Sequence, residues 1–245
     1  VLAIVPALDE EQTVGEVVRE LRALGTVDVV VVNDGSRDAT ARVAAEAGAA
    51  VLEHPFNLGI GAAVQTGYRY AARHGYDVAV QVDGDGQHLP SEIPRLLGPL
   101  ERGEADLVLG SRYVRPTGYQ ASAPRRAGML AFSWLVSAVT GQALHDTTSG
   151  FRAAGRDVVA YLARHYPQDY PEVEALVLLK RAGFRIAETE CRFRERGGGQ
   201  SSITPARSAY YMVKVGLAIL VGLLRSMPRP GEETEEIAPA RGTDA

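Results

Sequence analysis

Residues 1–38 read VLAIVPALDEEQTVGEVVRELRALGTVDVVVVNDGSRD, and their order of patterns decides the fold. Val1–Pro6 is an apolar run of strand length. Thr13–Leu24 carries Val14, Val17, Val18, Leu21 and Leu24 at the spacing of one helix face. Asp28–Val32 is β-branched and stops at Asn33-Asp34-Gly35-Ser36, a turn signal. The same rhythm continues outward. It predicts a helix over Asp38–Ala47 with Asp38 as its N-cap, a strand at Ala49–Glu53, a helix over Gly59–His74 and a strand at Asp77–Val82. A helix after Pro90 and a strand at Asp106–Gly110 follow. Alternating strands and helices predict an α/β chain with a mainly parallel, Rossmann-like sheet flanked by helices. Ligands of such sheets bind beyond the carboxyl ends of the strands. The polar clusters Ala7–Glu11, Asn33–Asp38 and Asp83–His88 stand there.

Beyond Gly110 the rhythm changes. The pattern predicts a helix over Pro124–Thr140, a turn through Asp146–Arg152, a helix over Glu172–Ala182 and a strand at Arg185–Phe193. A last, apolar helix is expected over Pro205–Arg225. Its ten uncharged residues Val215–Leu224 are about half of what a spanning helix needs. A buried terminal helix and an interfacial one, anchored by Tyr210, Tyr211 and flanking cations, are equally open readings. The expected organisation is a domain over 1–204, the apolar helix over 205–225, and an acidic, solvated tail over 226–245.

The 245 residues include 26 basic and 30 acidic side chains, a balance that argues against a nucleic-acid binder. The region Arg185–Arg229 is nevertheless positive, with eight basic residues against three acidic. The single cysteine, Cys191, excludes an internal disulfide framework and reads as a small buried hydrophobe, with a reducing compartment as the default. No signal peptide precedes Val1, although the missing start methionine allows for a removed extension.

Asp83-Gly84-Asp85-Gly86-Gln87 follows a buried strand. In extended geometry Asp83, Asp85 and Gln87 would point to one side, a hard-oxygen set suited to Mg²⁺ or Mn²⁺. The same residues could instead form a polar turn capped by aspartates. Asp34 is expected to be free to accept hydrogen bonds from a ligand such as a nucleobase. Asn57-Leu58-Gly59-Ile60-Gly61 opens a helix whose N-terminus could hold a phosphate. Neither a dinucleotide fingerprint nor a P-loop nor a nucleophile elbow is present.

Pro6, Asp9-Glu10, Asn33-Asp34-Gly35-Ser36, Asn57-Leu58-Gly59, Asp83-Gly84-Asp85-Gly86-Gln87-His88, Gly110-Ser111-Arg112-Tyr113 and Thr148-Ser149-Gly150-Phe151-Arg152 occur in this order. Together they resemble a family 2 glycosyltransferase of the GT-A fold, close to the dolichol-phosphate mannose synthase branch. The resemblance runs from Val1 to about Ser202. It implies nucleotide contacts at Pro6, Leu8, Glu10, Val32 and Asp34, donor contacts at Gly84, and a metal site at Asp83, Asp85 and Gln87 holding Mg²⁺ or Mn²⁺. It implies phosphate-handling roles for Arg112, Arg125, Arg126, Arg196 and the segment ending at Ser201, with Asp85, Arg112 and Arg196 central to catalysis. Ser202 stands where the family often carries lysine.

The implied reaction is inverting transfer of a hexose from a nucleotide diphosphate sugar, of GDP-mannose or UDP-glucose type, to a polyprenyl or dolichyl phosphate. The implied setting is the cytoplasmic face of a membrane, with the lipid surface, a small membrane protein or a second copy as partner. On this reading the arginines meet phosphates and not core groups. His88 is expected to pack beside the metal loop. Glu172 and Glu174 are expected to be structural or to orient the sugar, and Trp134 to be core or apolar surface of the acceptor groove. Two rivals are a transferase with a soluble or polysaccharide acceptor, and a non-catalytic nucleotide-sugar-binding module.

Overall fold

The computed structural model describes residues 1–112, 133, 136–139, 141–168 and 170–194. The chain alternates β1 (Leu2–Ala7), α1 (Val14–Ala23), β2 (Asp28–Asn33), α2 (Thr40–Glu46), β3 (Ala50–Glu53), α3 (Ile60–Arg73) and β4 (Val78–Gln81). After a short 3-10 turn at Pro90–Glu92 come α4 (Ile93–Glu101), β5 (Leu107–Ser111), β6 (Arg152–Gly155), α5 (Arg156–His165), α6 (Pro171–Arg181) and β7 (Ile186–Glu190). Each expected element of the first half is present within a few residues of its predicted ends. Those runs are long enough, and their periods clean enough, to set their own structure.

The strands form one sheet of order β3-β2-β1-β4-β6-β5-β7. β1 pairs in parallel with β2 and β4, β2 with β3, and β5 with β7, whereas β6 runs against both β4 and β5. Two differences from the sequence reading lie here. Arg152 starts a strand where the predicted turn ends, and α5 follows where no element is expected. Arg-Ala-Ala-Gly is too short and weakly apolar to read as a strand, and becomes one because β4 and β5 each offer it an edge. The predicted helix at Pro124–Thr140 falls mostly outside the described residues, which show helix at 133 and 136–139. The predicted helix at 205–225 and the tail at 226–245 lie outside them altogether.

Side chains alternate across the sheet and feed two cores. Ala3 and Val5 of β1, with Val29 and Val31 of β2, face α1 and α4 through Val14, Val18, Leu21, Ile93 and Leu96. Leu2, Ile4 and Val30 face the other way, onto Val64 and Tyr68 of α3 and the apolar residues of α5 and α6. Each such buried aliphatic side chain contributes roughly 1.5–3 kcal/mol. α3 comes close to β1 because residue 67 is glycine: a Cβ there would lie 2.2 Å from Ile4 Cγ2. This spacing brings the start of α3 up to the end of β1.

Gly67→Ala is therefore expected to lower stability by ~1–3 kcal/mol through overpacking, although alanine is the better helix former by about 1 kcal/mol. Urea unfolding measures it, and a stabilised variant would contradict the close packing of α3 on β1.

Candidate active site

The strand order places β2 and β3 on one side of β1 and β4 on the other, so the chain switches direction between β1 and β4. A crevice opens at the carboxyl ends of strands at such a point. An open cleft of ≈ 260 Å³ lies there, lined by Pro6 and Ala7 of β1, Leu8 and Glu10 just after it, Asp34, and Asp83-Gly84-Asp85 after β4. Asn57 before α3, Ile60 and Ala63 from its start, and Glu172 from α6 complete its lining.

The loop after β1 is fastened to the loop after β2. Asp9 takes a left-handed backbone conformation, φ 54°, which aspartate tolerates better than most residues. Its N–H donates to Ser36 Oγ at 3.0 Å, and its Oδ1 accepts from Arg37 N at 2.8 Å. Glu10 N donates to Thr40 Oγ1 and Glu11 N to Asp38 Oδ2. Asp38 also accepts the Thr40 N–H at 2.9 Å, but it stands one residue outside the N-cap, Ala39. The predicted cap is thus shifted by one residue. Thr13 Oγ1 lies 2.8 Å from both Glu10 Oε2 and Gly84 O, joining this loop to the one after β4.

Asp34 is not free. It is 4% exposed, and its Oδ1 lies 2.7 Å from His54 Nδ1 and accepts from Leu58 N at 2.9 Å, while Oδ2 accepts from Gly59 N at 2.9 Å. A buried carboxylate needs such donors. Asp34 thereby occupies the backbone N–H groups at the start of α3 that were expected to meet a phosphate. His54, held on its other side by Thr66 Oγ1 at 3.0 Å, was missed by sequence reasoning. Its only signal is its place one residue beyond β3. Val32, expected at the nucleotide, is fully buried on β2 opposite Pro6 and does not line the cleft.

Asp83 and Asp85 both reach the cleft, but by a turn and not by extended alternation. Gly86, at φ 76°, reverses the chain so that Gln87 folds back on Asp85. Gln87 N donates to Asp85 Oδ1 at 3.0 Å and Nε2 to Oδ2 at 2.7 Å. Gln87 therefore presents an amide N–H to the carboxylate and does not line the cleft, unlike Asp83 and Asp85. Asp83 packs against Gly150, where a Cβ would lie 3.1 and 3.2 Å from its two carboxylate oxygens. His88 is 5% exposed, its ring stacked on Phe151 at 4.9 Å, and burial lowers its pKa. The packing role expected of it is present.

Arg112 differs most from expectation. Its N–H, Nε and Nη2 all donate to the Asp146 carboxylate, at 3.1, 2.8 and 2.9 Å. The Asp146 side chain is 0% exposed, and its own N–H donates to Glu188 Oε1 at 2.8 Å. The guanidinium also lies 5.3 Å from the centre of the Phe193 ring. It belongs to a buried ion pair, because a carboxylate this deep needs a cation. Neither Asp146 nor the pairing has a sequence signal, since the partners are 34 positions apart. Glu172 is half-buried and lines the cleft. Burial raises its carboxyl above the ordinary range, although the Arg152 guanidinium pulls it down. Cys191 is buried as expected, and burial pushes its thiol up to about 12. Arg125, Arg126, Trp134, Arg196 and Ser201 lie outside the described residues.

Residues 2–162 match the family described as Glycosyl transferase family 2. The chain belongs to glycosyl transferase family 2. It is a glycosyltransferase, and its relatives lie on the polyprenyl-phosphate side of that family. It is 33% identical over 226 residues to the polyprenol monophosphomannose synthase of Mycolicibacterium smegmatis, covering 87% of this chain and 84% of the relative. It is 34% identical over 217 residues to the undecaprenyl-phosphate mannosyltransferase of Micrococcus luteus, covering 83% and 87%. In fold it resembles glucosyl-3-phosphoglycerate synthase from Mycobacterium tuberculosis, solved with Mn²⁺, UDP and phosphoglyceric acid. The TM-score is 0.68 with 24% identity, over 94% of this chain and 80% of that one.

Arg112→Ala in this family 2 enzyme is expected to destabilise the fold by ~3 kcal/mol, because Asp146 is left buried and unpaired. Arg112→Lys recovers part of the loss, since lysine cannot fork onto both oxygens. Equilibrium unfolding measures both; an unchanged Arg112→Ala midpoint would contradict the ion pair.

Proposed function

We propose that the enzyme transfers a hexose from a nucleotide diphosphate sugar to a polyprenyl phosphate, with inversion, at the cytoplasmic face of a membrane. The observation that carries this reading is the cleft at the β1/β4 switch point, where Asp83 and Asp85 stand beside Pro6, Leu8 and Glu10. A donor nucleoside fits along Pro6, Leu8 and Glu10, with Asp34 holding the wall behind it. Its diphosphate lies toward Asp83, Gly84 and Asp85. The oxygen-only pair of carboxylates fits Mg²⁺ or Mn²⁺, and the solved neighbour carries Mn²⁺ with UDP. When bound, the cation neutralises charge on the departing nucleoside diphosphate.

The names of the relatives support a polyprenyl phosphate as acceptor. Arg125, Arg126, Arg196 and Ser201 are assigned to its phosphate, and Arg112 to the electrostatic anchor beside it. An acceptor phosphate oxygen attacks the anomeric carbon as the bond to the diphosphate oxygen breaks. That oxygen is already ionised at neutral pH, so no proton has to be removed. Among the described residues no helix is long and apolar enough to cross a membrane. Residues 205–225, within a region of net positive charge, are assigned to contact with the lipid surface, a small membrane protein or a second copy.

A second reading draws on Glu172, a cleft carboxyl with a raised pKa, which suits a general base for a hydroxyl acceptor. The two readings separate in one assay. Purified enzyme is given GDP-mannose or UDP-glucose with Mn²⁺, with and without undecaprenyl phosphate in detergent. Transfer is expected only with lipid phosphate and metal present. Asp85→Asn is expected to lose at least ~100-fold, and Glu172→Gln less than ~10-fold, because no base is needed. A Glu172→Gln loss in the ~10²–10⁴ range of general-base catalysis would favour the hydroxyl acceptor. Donor binding with no turnover under any condition would favour a non-catalytic module.

A further inference from the structure

We propose that His88 is a positioning residue that grips Asp83 at both its backbone and its carboxylate, and thereby sets the affinity of the cleft for a divalent cation. The inference rests on reading Asp83 as a metal ligand. Asp83 N donates to His88 Nδ1 at 3.0 Å. Nδ1 must therefore carry the lone pair, and the ring proton sits on Nε2. Nε2 lies 3.5 Å from Asp83 Oδ2, a looser, electrostatic contact. One imidazole thus fixes the start of the loop through its backbone and leans a donor toward the side chain of the same residue.

The imidazole is held in place by two aromatic rings. One face stacks on Phe151 with an interplanar angle of 19°, and the Phe193 ring meets it edge-on at 5.4 Å. The backbone of His88 is bridged to Phe193, and Gln87 O accepts from Arg194 N at 2.8 Å. The Asp83 carboxylate also meets Gly150, where a Cβ would sit 3.1 and 3.2 Å from its oxygens, a tight fit. The carboxylate is boxed between a fixed N–H and a bare backbone. His88 does not line the cleft, and its Nδ1 is engaged, so it is neither a proton donor to substrate nor a cation ligand. It acts through Asp83. Partners of this outer kind typically set metal affinity by 10–100-fold.

Mn²⁺ binding in the presence of UDP or GDP, read by the EPR signal of free Mn²⁺, tests the inference without turnover. His88→Phe keeps the stack on Phe151 and loses both nitrogens. Its Mn²⁺ Kd is expected to rise ~10–100-fold, alongside a lower melting temperature because the Asp83 N–H loses its acceptor. His88→Asn returns an acceptor near Nδ1 and is expected to recover most of that loss. Unchanged affinity in His88→Phe, or an equal loss in both variants, would overturn the inference. Failure of the unaltered enzyme to bind Mn²⁺ with either nucleotide would instead remove the metal reading beneath it. Nitrogen NMR of the unaltered enzyme gives a check independent of any variant: Nδ1 should be unprotonated and Nε2 protonated, and the opposite tautomer would overturn the proposal.

Discussion

β1 is hydrogen-bonded in parallel on both sides, with Ala7 level with Asn33 of β2 and Ile4 level with Gln81 of β4. Three parallel strands in this register must deliver their following loops to one edge of the sheet. The chain leaves β1 for β2 on one side, and after β3 it returns past β1 to β4 on the other, so the loops after β1 and β4 diverge. The cleft is the result. Pro6 and Gly84 are far apart in the chain, yet neighbours in the cleft. A Cβ on Gly84 would lie 3.2 Å from Pro6 O. The backbone approach is as much a part of the site as the carboxylates are.

The charges around the cleft are mostly held by the protein itself. Asp34 is committed to His54 and to two backbone N–H groups at the start of α3. Asp146 is committed to Arg112, and Glu188 to the backbone of His145 and Asp146. Each arrangement satisfies a carboxylate that is largely removed from water. Asp83 is different. Its side chain is 38% exposed and opens to the cleft, while the backbone behind it is fixed by His88. A preorganised but accessible carboxylate is what a cation site requires, and the saturated aspartates form the walls that keep it in place.

The sheet was legible in the sequence wherever a run carried its own period. Val14, Val17, Val18 and Leu21 declare α1, and Val29 to Val32 declare β2. β6 was not legible, because four residues with two alanines have no pattern of their own and take strand form only between two existing edges. α5 does carry a signal in Val158, Val159 and Leu162, although the sequence reading assigns no element to it. In the site, motif positions identified the loops correctly, and Pro6, Leu8, Glu10, Asp34, Asp83 and Asp85 all meet at the cleft. What motifs could not give was the direction of each side chain. Gln87 folding onto Asp85, Arg112 onto Asp146 and Asp34 onto α3 are long-range or turn-dependent contacts, set by burial and not by spacing.

The central claim is that the end of β4 holds a divalent cation and a nucleoside diphosphate at the switch point beside β1. Anomalous diffraction from crystals of the enzyme grown with Mn²⁺ and UDP or GDP tests it most directly. The account predicts one Mn²⁺ peak within coordination distance, about 2.0–2.3 Å, of a carboxylate oxygen of Asp83 or Asp85, with the nucleoside along Pro6, Leu8 and Glu10. A Mn²⁺ peak away from both aspartates, or nucleotide density outside this cleft, would contradict it.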